Sequence, residues 1–307
     1  MSLTIVGTVA FDELITPFAS SGRIIGGSAT YAGISASYFS KDVKLVSIIG
    51  EDFPEEKLQM MRNRNINIDG VHTVEGGKSF FWKGKYHNDM NSRDSLETEL
   101  NVLADFDPVL PEESRTSEFL LLGNLTPQVQ LKVLEQMKSR PKMVALDTMN
   151  FWMDVAWDDL LKVLKHVDLL TINDEEARQL SGEYSLVKAA KKIATMGPKT
   201  LVIKKGEHGA LLFRDDQVFF APALPLEEVF DPTGAGDTFA GGMMGYLAKT
   251  EDISFENLKR SILFGSAMAS FCVEQFGTEK TENLSQEEIQ QRLHQFINLT
   301  QVELELA

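Results

Sequence analysis

The chain has 307 residues, 43% of them hydrophobic and 24% charged, which is ordinary for a soluble globular protein and excludes a disordered chain or a fibrous repeat. Acidic residues outnumber basic ones by 45 to 30, and the resulting charge of −15 disfavours nucleic acid and anionic membranes as partners. The single cysteine, Cys272, excludes an intrachain disulfide and a multi-thiolate metal site. The chain does not open with a basic segment followed by an apolar stretch, so we expect a cytoplasmic protein without a signal peptide.

Short apolar runs with the length of strands recur along the chain. They are Leu3–Gly7, Leu45–Ile49, Phe119–Leu122, Met143–Leu146, Leu169–Ile172 and Leu201–Ile203. Apolar residues with helical spacing lie between several of them, as in 127–138 and 185–196. Because strands that are apolar throughout are typical of a parallel sheet covered on both faces, the sequence predicts an α/β fold. We expect a doubly wound, mostly parallel sheet sandwiched by helices.

Two segments, 12–25 and 71–103, interrupt this rhythm with extended stretches of polar and aromatic residues. The second contains the aromatic run 79–86 and a bend rich in Asn, Asp and Ser at 88–95. We expect the two segments to form a small antiparallel β-sheet that projects from the main domain as a lid. Its aromatic residues need a cover, which a substrate, a second subunit in a homodimer or the main domain itself would supply.

The last third of the chain contains one predicted hairpin and then mostly helix. The predicted hairpin strands are 210–214 and 217–221, and the predicted helices are 236–250, 255–273 and 286–298. The sequence shows no internal repeat and no low-complexity linker. We therefore expect one α/β domain over residues 1–307 with an inserted lid, rather than two independent domains.

Residues 231–242 carry the strongest chemical signal. Gly234 and Gly236 permit a turn whose backbone N–H groups converge on one point, and a helix begins near Gly236 with Asp237 in its first turn. Unsatisfied amides and the helix dipole make such a helix start a cradle for an anion. The alternative interpretation is a tight turn in which Asp237 serves only as a helix cap.

This segment resembles the signature of the ribokinase-like carbohydrate kinases, also called the phosphofructokinase B family. Four further regions match that family in the expected order: the glycine pair 26–27, Asp12 after the first strand, the Asn-x-x-Glu motif of Asn173 and Glu176, and the loop 204–209. The resemblance covers essentially the full chain. It implies a ribokinase-like fold and transfer of the γ-phosphoryl group of ATP to an alcohol.

The family resemblance also implies roles in the chemistry. Asp237 would be the general base that accepts the proton of the acceptor hydroxyl. The amides around Gly234, Ala235 and Gly236 would act as an anion hole for the charge that develops on the phosphoryl group. Phosphoryl transfer asks for little more than a base, an in-line geometry and positive charge around the transferring group.

The cofactors implied by the resemblance are ATP and Mg²⁺. Glu176 would help to place Mg²⁺ through water, with Asn173 beside it facing phosphate. Some family members are activated by a monovalent cation such as K⁺, and Asp231 and Thr233 match its position, with Gly277 at the far side. Nucleotide contacts are implied for the loop residues and the turn: Lys205, Gly206, Gly209 and Thr233.

The acceptor region implied by the resemblance comprises Asp12, which would hold acceptor hydroxyls, together with Gly26, Gly27 and Ser28. Ser28 stands where the ribokinase pattern has a lysine, which disfavours ribose itself as the acceptor. The lid residues Phe80 and Trp82 alternate on one face of a predicted strand and would stack on a nucleobase. Packing of the same face against the lid of a second subunit is the alternative.

We therefore expect a kinase that phosphorylates a hydroxymethyl group of a small sugar or nucleoside. A nucleoside kinase and a sugar kinase both remain open, as does a catalytically inactive regulator that binds a nucleotide or a sugar. Retention of Asp237 together with Asn173 and Glu176 argues against the regulator, because loss of the base is the simplest route to an inactive protein.

Other enzyme signatures are absent from the sequence. Gly77, Lys78 and Ser79 would end a Walker A loop, but His72 occupies the position of its first glycine. A Gly-x-Gly-x-x-Gly motif does not follow the first strand, and Gly-x-Ser-x-Gly does not occur. The usual sequence support for a dinucleotide-binding fold or a serine hydrolase is therefore missing.

Overall fold

Two β-sheets organise the computed structural model, which describes residues 1–301. The strands of this range are β1 (Leu3–Val6), β2 (Ala10–Ile15), β3 (Ser20–Gly26), β4 (Val43–Gly50), β5 (Ile66–Val74), β6 (Phe81–Tyr86), β7 (Arg93–Glu99), β8 (Phe119–Leu122), β9 (Met143–Asp147), β10 (Leu169–Asn173), β11 (Thr200–Lys204), β12 (Ala210–Arg214) and β13 (Gln217–Ala221). The main sheet has nine of them in the spatial order β13-β12-β11-β10-β9-β8-β1-β4-β5. All six strands and the hairpin expected from apolar runs are confirmed.

Helices cover the main sheet on both faces. They are α1 (Ser28–Ser37), α2 (Glu55–Asn63), α3 (Pro127–Gln136), α4 (Asn150–Val155), α5 (Trp157–Leu164), α6 (Asp174–Ser181), α7 (Leu186–Ala194), α8 (Ala235–Thr250), α9 (Phe255–Cys272) and α10 (Gln286–Thr300). One core cluster joins α1, α2, α8 and α9 to the sheet, and the other joins α3, α5, α6 and α7 to it. None of these helices is long and apolar enough to span a membrane.

The strands alternate between the two core clusters residue by residue. Leu3 and Ile5 of β1 belong to the first cluster, whereas Val6 belongs to the second. On β8, Phe119 likewise belongs to the first cluster and Leu120 to the second. Because both faces are buried, the pleat places an apolar side chain on each of them, and burial of each contributes about 1.5–3 kcal/mol. The predicted doubly wound α/β fold is therefore confirmed.

Strand direction places the functional edge of the main sheet. All neighbouring pairs from β5 to β11 are parallel, and only β12 runs in the opposite direction within the described sheet. The chain builds β1, β4 and β5 towards one side and then returns to add β8 on the other side of β1. Ligands of such sheets bind beyond the carboxyl ends of the strands, where the order reverses.

The small sheet, which we call the lid sheet, contains β2, β3, β6 and β7 in the order β3-β2-β6-β7. Two details differ from the expectation for segments 12–25 and 71–103. Residues 71–74 continue β5 in the main sheet, because they pair with β4, so the second lid segment begins later. The lid sheet is also mixed, since β2 pairs with β6 in parallel, while its two outer pairs are antiparallel.

Helices α1 and α8 touch through a glycine. A Cβ at Gly241 would lie 2.2 Å from the carbonyl oxygen of Ala32 and 2.5 Å from its Cα. The two backbones are therefore closer than any side chain at this position allows. This approach fixes the start of α8, with its glycine-rich turn, relative to the strands below it.

We predict that Gly241→Val lowers the free energy of unfolding by about 3 kcal/mol, because the new side chain meets backbone atoms that cannot rotate away. Lys249→Ala, an exposed change on the same helix, serves as the control and leaves stability within about 0.5 kcal/mol. Urea unfolding followed by circular dichroism measures both. Equal stability of the two variants would show that the helices separate without loss.

Candidate active site

The N-terminal site residues of the sequence analysis meet at one point. A Cβ at Gly26 would lie only 1.8 Å from a carboxylate oxygen of Asp12, so glycine is required for the approach. Gly27 has a φ of +95° and its amide donates a hydrogen bond to Asp12. Ser28 binds both the amide and the hydroxyl of Thr8, which ties the start of α1 to the end of β1.

The carboxyl group of Asp12 is strongly perturbed. Only 5% of the residue is exposed, and burial raises its pKa to about 8. The negative charges of Asp231 and Asp237 add to this rise, while the hydrogen bond from Gly27 opposes it. The three carboxylates therefore belong to one electrostatic neighbourhood, although they come from opposite ends of the chain.

The lid sheet presents Trp82 beside Asp12. The two residues are direct partners in the parallel pairing of β2 with β6, so their side chains leave the same face of the sheet. The Trp82 ring extends over Gly84, where a Cβ would lie 2.2 Å from it, and its Nε1 donates to Ser95 Oγ at 3.0 Å. Phe80 precedes β6, and its carbonyl oxygen accepts a hydrogen bond from Phe11.

Tyr86, on the same face of the lid sheet, contacts the glycine-rich turn before α8. Its hydroxyl lies 3.0 Å from Thr233 Oγ1, and alternation along β6 places Tyr86 on the face of Trp82. Beyond Tyr86, the bend between β6 and β7 brings Asn91 Oδ1 close to Gly206, at 2.8 Å from where a Cβ would be. The lid sheet therefore reaches both the turn before α8 and the loop after β11.

The turn before α8 is braced by Asp231. This residue is fully buried, and its two carboxylate oxygens accept hydrogen bonds from the amides of Thr233 at 2.8 Å and Gly277 at 3.0 Å. Burial raises the pKa of Asp231 to about 6, and these hydrogen bonds oppose the rise. Gly234 adopts a φ of +72° directly under the ring of Tyr31, which leaves no space for a side chain.

Asp237 occupies the first turn of α8, as the sequence predicts, following Gly234, Ala235 and Gly236. Burial raises the pKa of Asp237 to about 7, and the charge of Asp147 adds to the rise. Lys204 and Arg93 oppose it through their positive charge. A carboxyl group with a pKa near neutrality has the acidity that suits a general base at physiological pH.

The Asn-x-x-Glu motif forms a capping box at the start of α6. Asn173 Oδ1 accepts from the Glu176 amide at 2.8 Å, and Glu176 Oε2 accepts from the Asn173 amide at 2.7 Å. Glu176 is nevertheless buried, and burial raises its pKa to about 7 against the attraction of Lys204. The motif thus has a structural role in addition to the nucleotide-side role expected for it.

The predicted nucleotide loop is a tight turn after β11. The Lys205 amide donates to the Gly209 carbonyl at 2.8 Å, and Gly206 and Gly209 have positive φ angles of 53° and 86°. A Cβ at Gly209 would lie 2.1 Å from the carbonyl oxygen of Ala221, so this glycine permits a close approach of two backbones. Contact of the loop with a nucleotide stays a prediction.

The chain matches the family description "pfkB family carbohydrate kinase" over residues 8–284. The chain belongs to the pfkB family of carbohydrate kinases. It is therefore a phosphotransferase with an alcohol group as acceptor, and the use of ATP is implied by the family.

Relatives in this pfkB family include nucleoside and sugar kinases. The cytidine kinase of Thermococcus kodakarensis is 33% identical over 251 residues, which are 80% of this chain and 88% of that protein. The solved nucleoside kinase of Methanocaldococcus jannaschii superimposes with a TM-score of 0.77 at 20% identity, covering 96% of this chain and 98% of that one. A Thermotoga maritima ribokinase structure reaches a TM-score of 0.75 at 20% identity over 96% and 99% of the two chains. The two structures support the ribokinase-like fold.

Neither Asp147 nor Lys204 was singled out from the sequence as a candidate site residue, although Lys204 is the first residue of the matched loop 204–209. Lys204 Nζ lies 3.1 Å from Asp147 Oδ1, and Thr171 Oγ1 donates to the same oxygen at 3.1 Å. Both groups are the last residues of parallel strands, β11 and β9, so both lie at the carboxyl edge of the sheet. In the sequence, each of the two is a charged residue directly after an apolar run with the length of a strand, and this pattern could have identified them.

We predict that Asp12→Asn stabilises this kinase increasingly as the pH rises. Asp12 is protonated in the folded state up to about pH 8 but ionised in the unfolded chain above about pH 4, so unfolding releases a proton between these values. The free energy of unfolding of the wild type therefore falls as pH rises through this window, and the variant lacks this fall.

Urea unfolding at pH 5, 7 and 9 tests this prediction. The difference between Asp12→Asn and the wild type should grow by at least about 2 kcal/mol from pH 5 to pH 9. Asp105→Asn, an exposed carboxylate with no hydrogen-bond partner among residues 1–301, is the control and should show a constant difference. A constant difference for Asp12→Asn as well would contradict the raised pKa.

Proposed function

We propose that this pfkB kinase transfers the γ-phosphoryl group of ATP to the hydroxymethyl group of a nucleoside, with Asp237 as the general base. The observation that carries the proposal is the pairing of Trp82 with Asp12 on the site-facing side of the lid sheet. It sets an aromatic ring beside a hydrogen-bonding carboxyl group, as a molecule with both a base and a sugar requires. The similarity to the Thermococcus kodakarensis cytidine kinase supports the same acceptor class.

In the proposed complex, Asp12 binds hydroxyl groups of the ribose. Gly26 leaves the space that the Asp12 carboxyl group occupies, and Gly27 leaves the space that the Thr8 backbone occupies, so both glycines position this part of the site. Trp82 stacks on the nucleobase, and Phe80 extends this apolar wall from the preceding position. Ser28 already bonds to Thr8, so it shapes the floor of the site through the start of α1. A free sugar would fill only the part beside Asp12.

Asp237 removes the proton of the acceptor hydroxyl as its oxygen forms the bond to phosphorus. The amides of Gly234, Ala235 and Gly236, at the start of a 16-residue helix, would stabilise the charge that develops on the phosphoryl oxygens. The Ala235 amide also donates to the Pro232 carbonyl at 3.3 Å. The turn is preorganised because Asp231 holds it through Thr233 and Gly277. In this proposal, catalysis therefore comes from positioning of the reacting groups and from fixed backbone dipoles.

The residues around Glu176 fit a magnesium ion. One oxygen of its buried carboxylate accepts from Asn173, and the other makes no hydrogen bond within residues 1–301. Within residues 1–301, no three or more His, Cys, Asp or Glu side chains are grouped so that they could hold a metal ion. Mg²⁺ in general takes one or two protein carboxylates and keeps several waters. When bound, Mg²⁺ would neutralise phosphate charge. Glu176 would hold it through water, with Asn173 alongside.

Asp231 and Thr233 offer few free oxygen atoms to a monovalent cation. Both carboxylate oxygens of Asp231 already accept amide hydrogen bonds, and the Thr233 carbonyl accepts one from the Cys272 thiol at 3.5 Å. Any such ion would rely on further main-chain oxygens of this turn. Activation by K⁺ stays a prediction, and we assign the ion no part in the transfer step.

We predict that Asp237→Asn lowers kcat by about 10²–10⁴-fold, because the amide cannot accept the hydroxyl proton. ADP release is measured with Mg-ATP against a panel of nucleosides, sugars and sugar phosphates. Since Asp237 must be ionised, wild-type kcat/KM should rise with pH through about 7. Asp158→Asn, an exposed change on α5, is the control. Activity that survives Asp237→Asn would disprove the base assignment, and tight ligand binding without turnover of any acceptor would favour a regulator.

We predict that Trp82→Ala raises the KM for a nucleoside by about tenfold or more, since stacking on a base contributes about 1–3 kcal/mol. Trp82→Phe keeps an aromatic ring and should retain most of the affinity. The KM for ribose, which has no base, should not change. If Trp82→Ala alters the oligomeric state measured by light scattering but not the nucleoside KM, the ring covers a second subunit instead.

A further inference from the structure

Lys204 brings an ammonium group into the interior of the proposed site. The residue ends β11, and its side chain is 19% exposed, against 12% for the side chain of Asp147, to which it is paired. A buried ion pair of this kind adds little net stability, because desolvation of both groups offsets their attraction. Stability alone is therefore a weak reason for this lysine.

The ammonium group lies against the first turn of α8. A Cβ at Gly236 would be 2.9 Å from Lys204 Nζ, so glycine at this position leaves the space that the lysine end occupies. Gly236 is the second residue of α8, where amide groups lack helical partners. The lysine and the proposed anion hole thus share one small volume.

Two positive features face each other at this point. The start of a helix carries about half a positive elementary charge, and the Lys204 ammonium carries a full one. Their proximity is unfavourable unless an anion lies between them. Asp147 binds the ammonium from the strand side, at the end of β9, and Asp237 lies one residue beyond Gly236. The ammonium and the start of the helix together offer positive charge and hydrogen-bond donors to an anion in the space between them.

The hydrogen bonds of Lys204 leave room for that anion. An ammonium has three donors, and Asp147 Oδ1 takes one of them at 3.1 Å. Thr171 holds the same oxygen from β10, so the carboxylate has a fixed orientation. The pKa of Lys204 is raised, since attraction by Asp147, Glu176 and Asp237 outweighs the effect of burial, and the group keeps its charge at neutral pH.

We propose that Lys204 binds the γ-phosphoryl group of ATP during transfer and that Asp147 is the positioning residue that holds it there. This inference rests on the proposed site around Asp237. In the step, the acceptor oxygen forms a bond to the γ-phosphorus and the bond to the bridging oxygen of ADP breaks. The bridging oxygen leaves with the electron pair, and the hydroxyl proton passes to Asp237. Lys204 stays protonated and neutralises charge on the moving phosphoryl oxygens.

Lys204→Met tests the role of the charge, and Lys199→Met is the matched control. Lys199 is exposed and directly precedes β11, so the control makes the same chemical change at the other end of one strand. We expect kcat of Lys204→Met to fall by about 10²–10³-fold, the usual effect of removing a donor to the transition state. The KM for the acceptor should change less than about threefold, because Lys204 would contact only phosphate.

Nucleotide affinity gives a second readout that does not require turnover. By calorimetry without acceptor, Lys204→Met should lose about tenfold or more in affinity for Mg-ATP and keep its affinity for Mg-ADP, which lacks the γ-phosphoryl group. Equal losses for both nucleotides, or unchanged kcat, would overturn the proposal. If the wild type shows no turnover, the proposed function fails, but this ATP-against-ADP difference still decides the role of Lys204.

Asp147→Asn tests the positioning part. We expect kcat to fall by about tenfold with the acceptor KM unchanged, since the ammonium loses its fixed partner. A lower melting temperature with unchanged kcat would show a purely structural role. The double variant Lys204→Met with Asp147→Asn removes both charges, so it avoids an unpaired buried carboxylate if Lys204→Met does not fold. The double variant should show the same selective loss of affinity for Mg-ATP. Equal losses of affinity for Mg-ATP and Mg-ADP would again count against the proposed role of Lys204.

Discussion

The buried ammonium of Lys204 balances a site that is otherwise rich in acid. Asp147, Glu176 and Asp237 lie within its electrostatic reach, and burial raises the pKa of the last two to about 7. Without Lys204, the negative charge of Asp147 would raise the pKa values of Glu176 and Asp237 further. A chain with a charge of −15 could hold phosphate in this way, because the anion site that we propose uses amides and one ammonium rather than net charge.

The second constraint is that side chains or backbone atoms approach the main chain closely at several points around the site. This explains why glycines recur there. Gly26 makes room for Asp12, Gly234 for the ring of Tyr31, and Gly241 for the backbone of α1. The first leaves room for a side chain of the site, the second lets the turn before α8 pack under a buried ring, and the third holds α8 on α1. As a result, the carboxylate from the start of the chain and the helix start near its end meet at the same sheet edge.

Much of the fold could be predicted from local pattern, since apolar runs bounded by turns identify buried strands. The lid was harder. The sequence predicts residues 71–74 in the lid, yet they pair with β4 and form part of the edge strand of the main sheet. The parallel pairing of β2 with β6 joins segments about 70 residues apart, and short-range pattern carries no information on such pairing. The family motif pointed to Lys205, whereas the buried neighbour at the site is Lys204.

The sequence by itself determined the α/β class, the glycine-rich turn before α8 and the spacing of Asn173 and Glu176, because each depends on residues within one or two turns of chain. Only the tertiary structure decided that Asp147 meets Lys204 and that Trp82 lies beside Asp12. Those contacts depend on which strands become neighbours and on how deeply each carboxyl group is buried. Burial and distant charge also set the acidity of Asp12 and Asp237, and neither quantity can be read from residues adjacent in the chain.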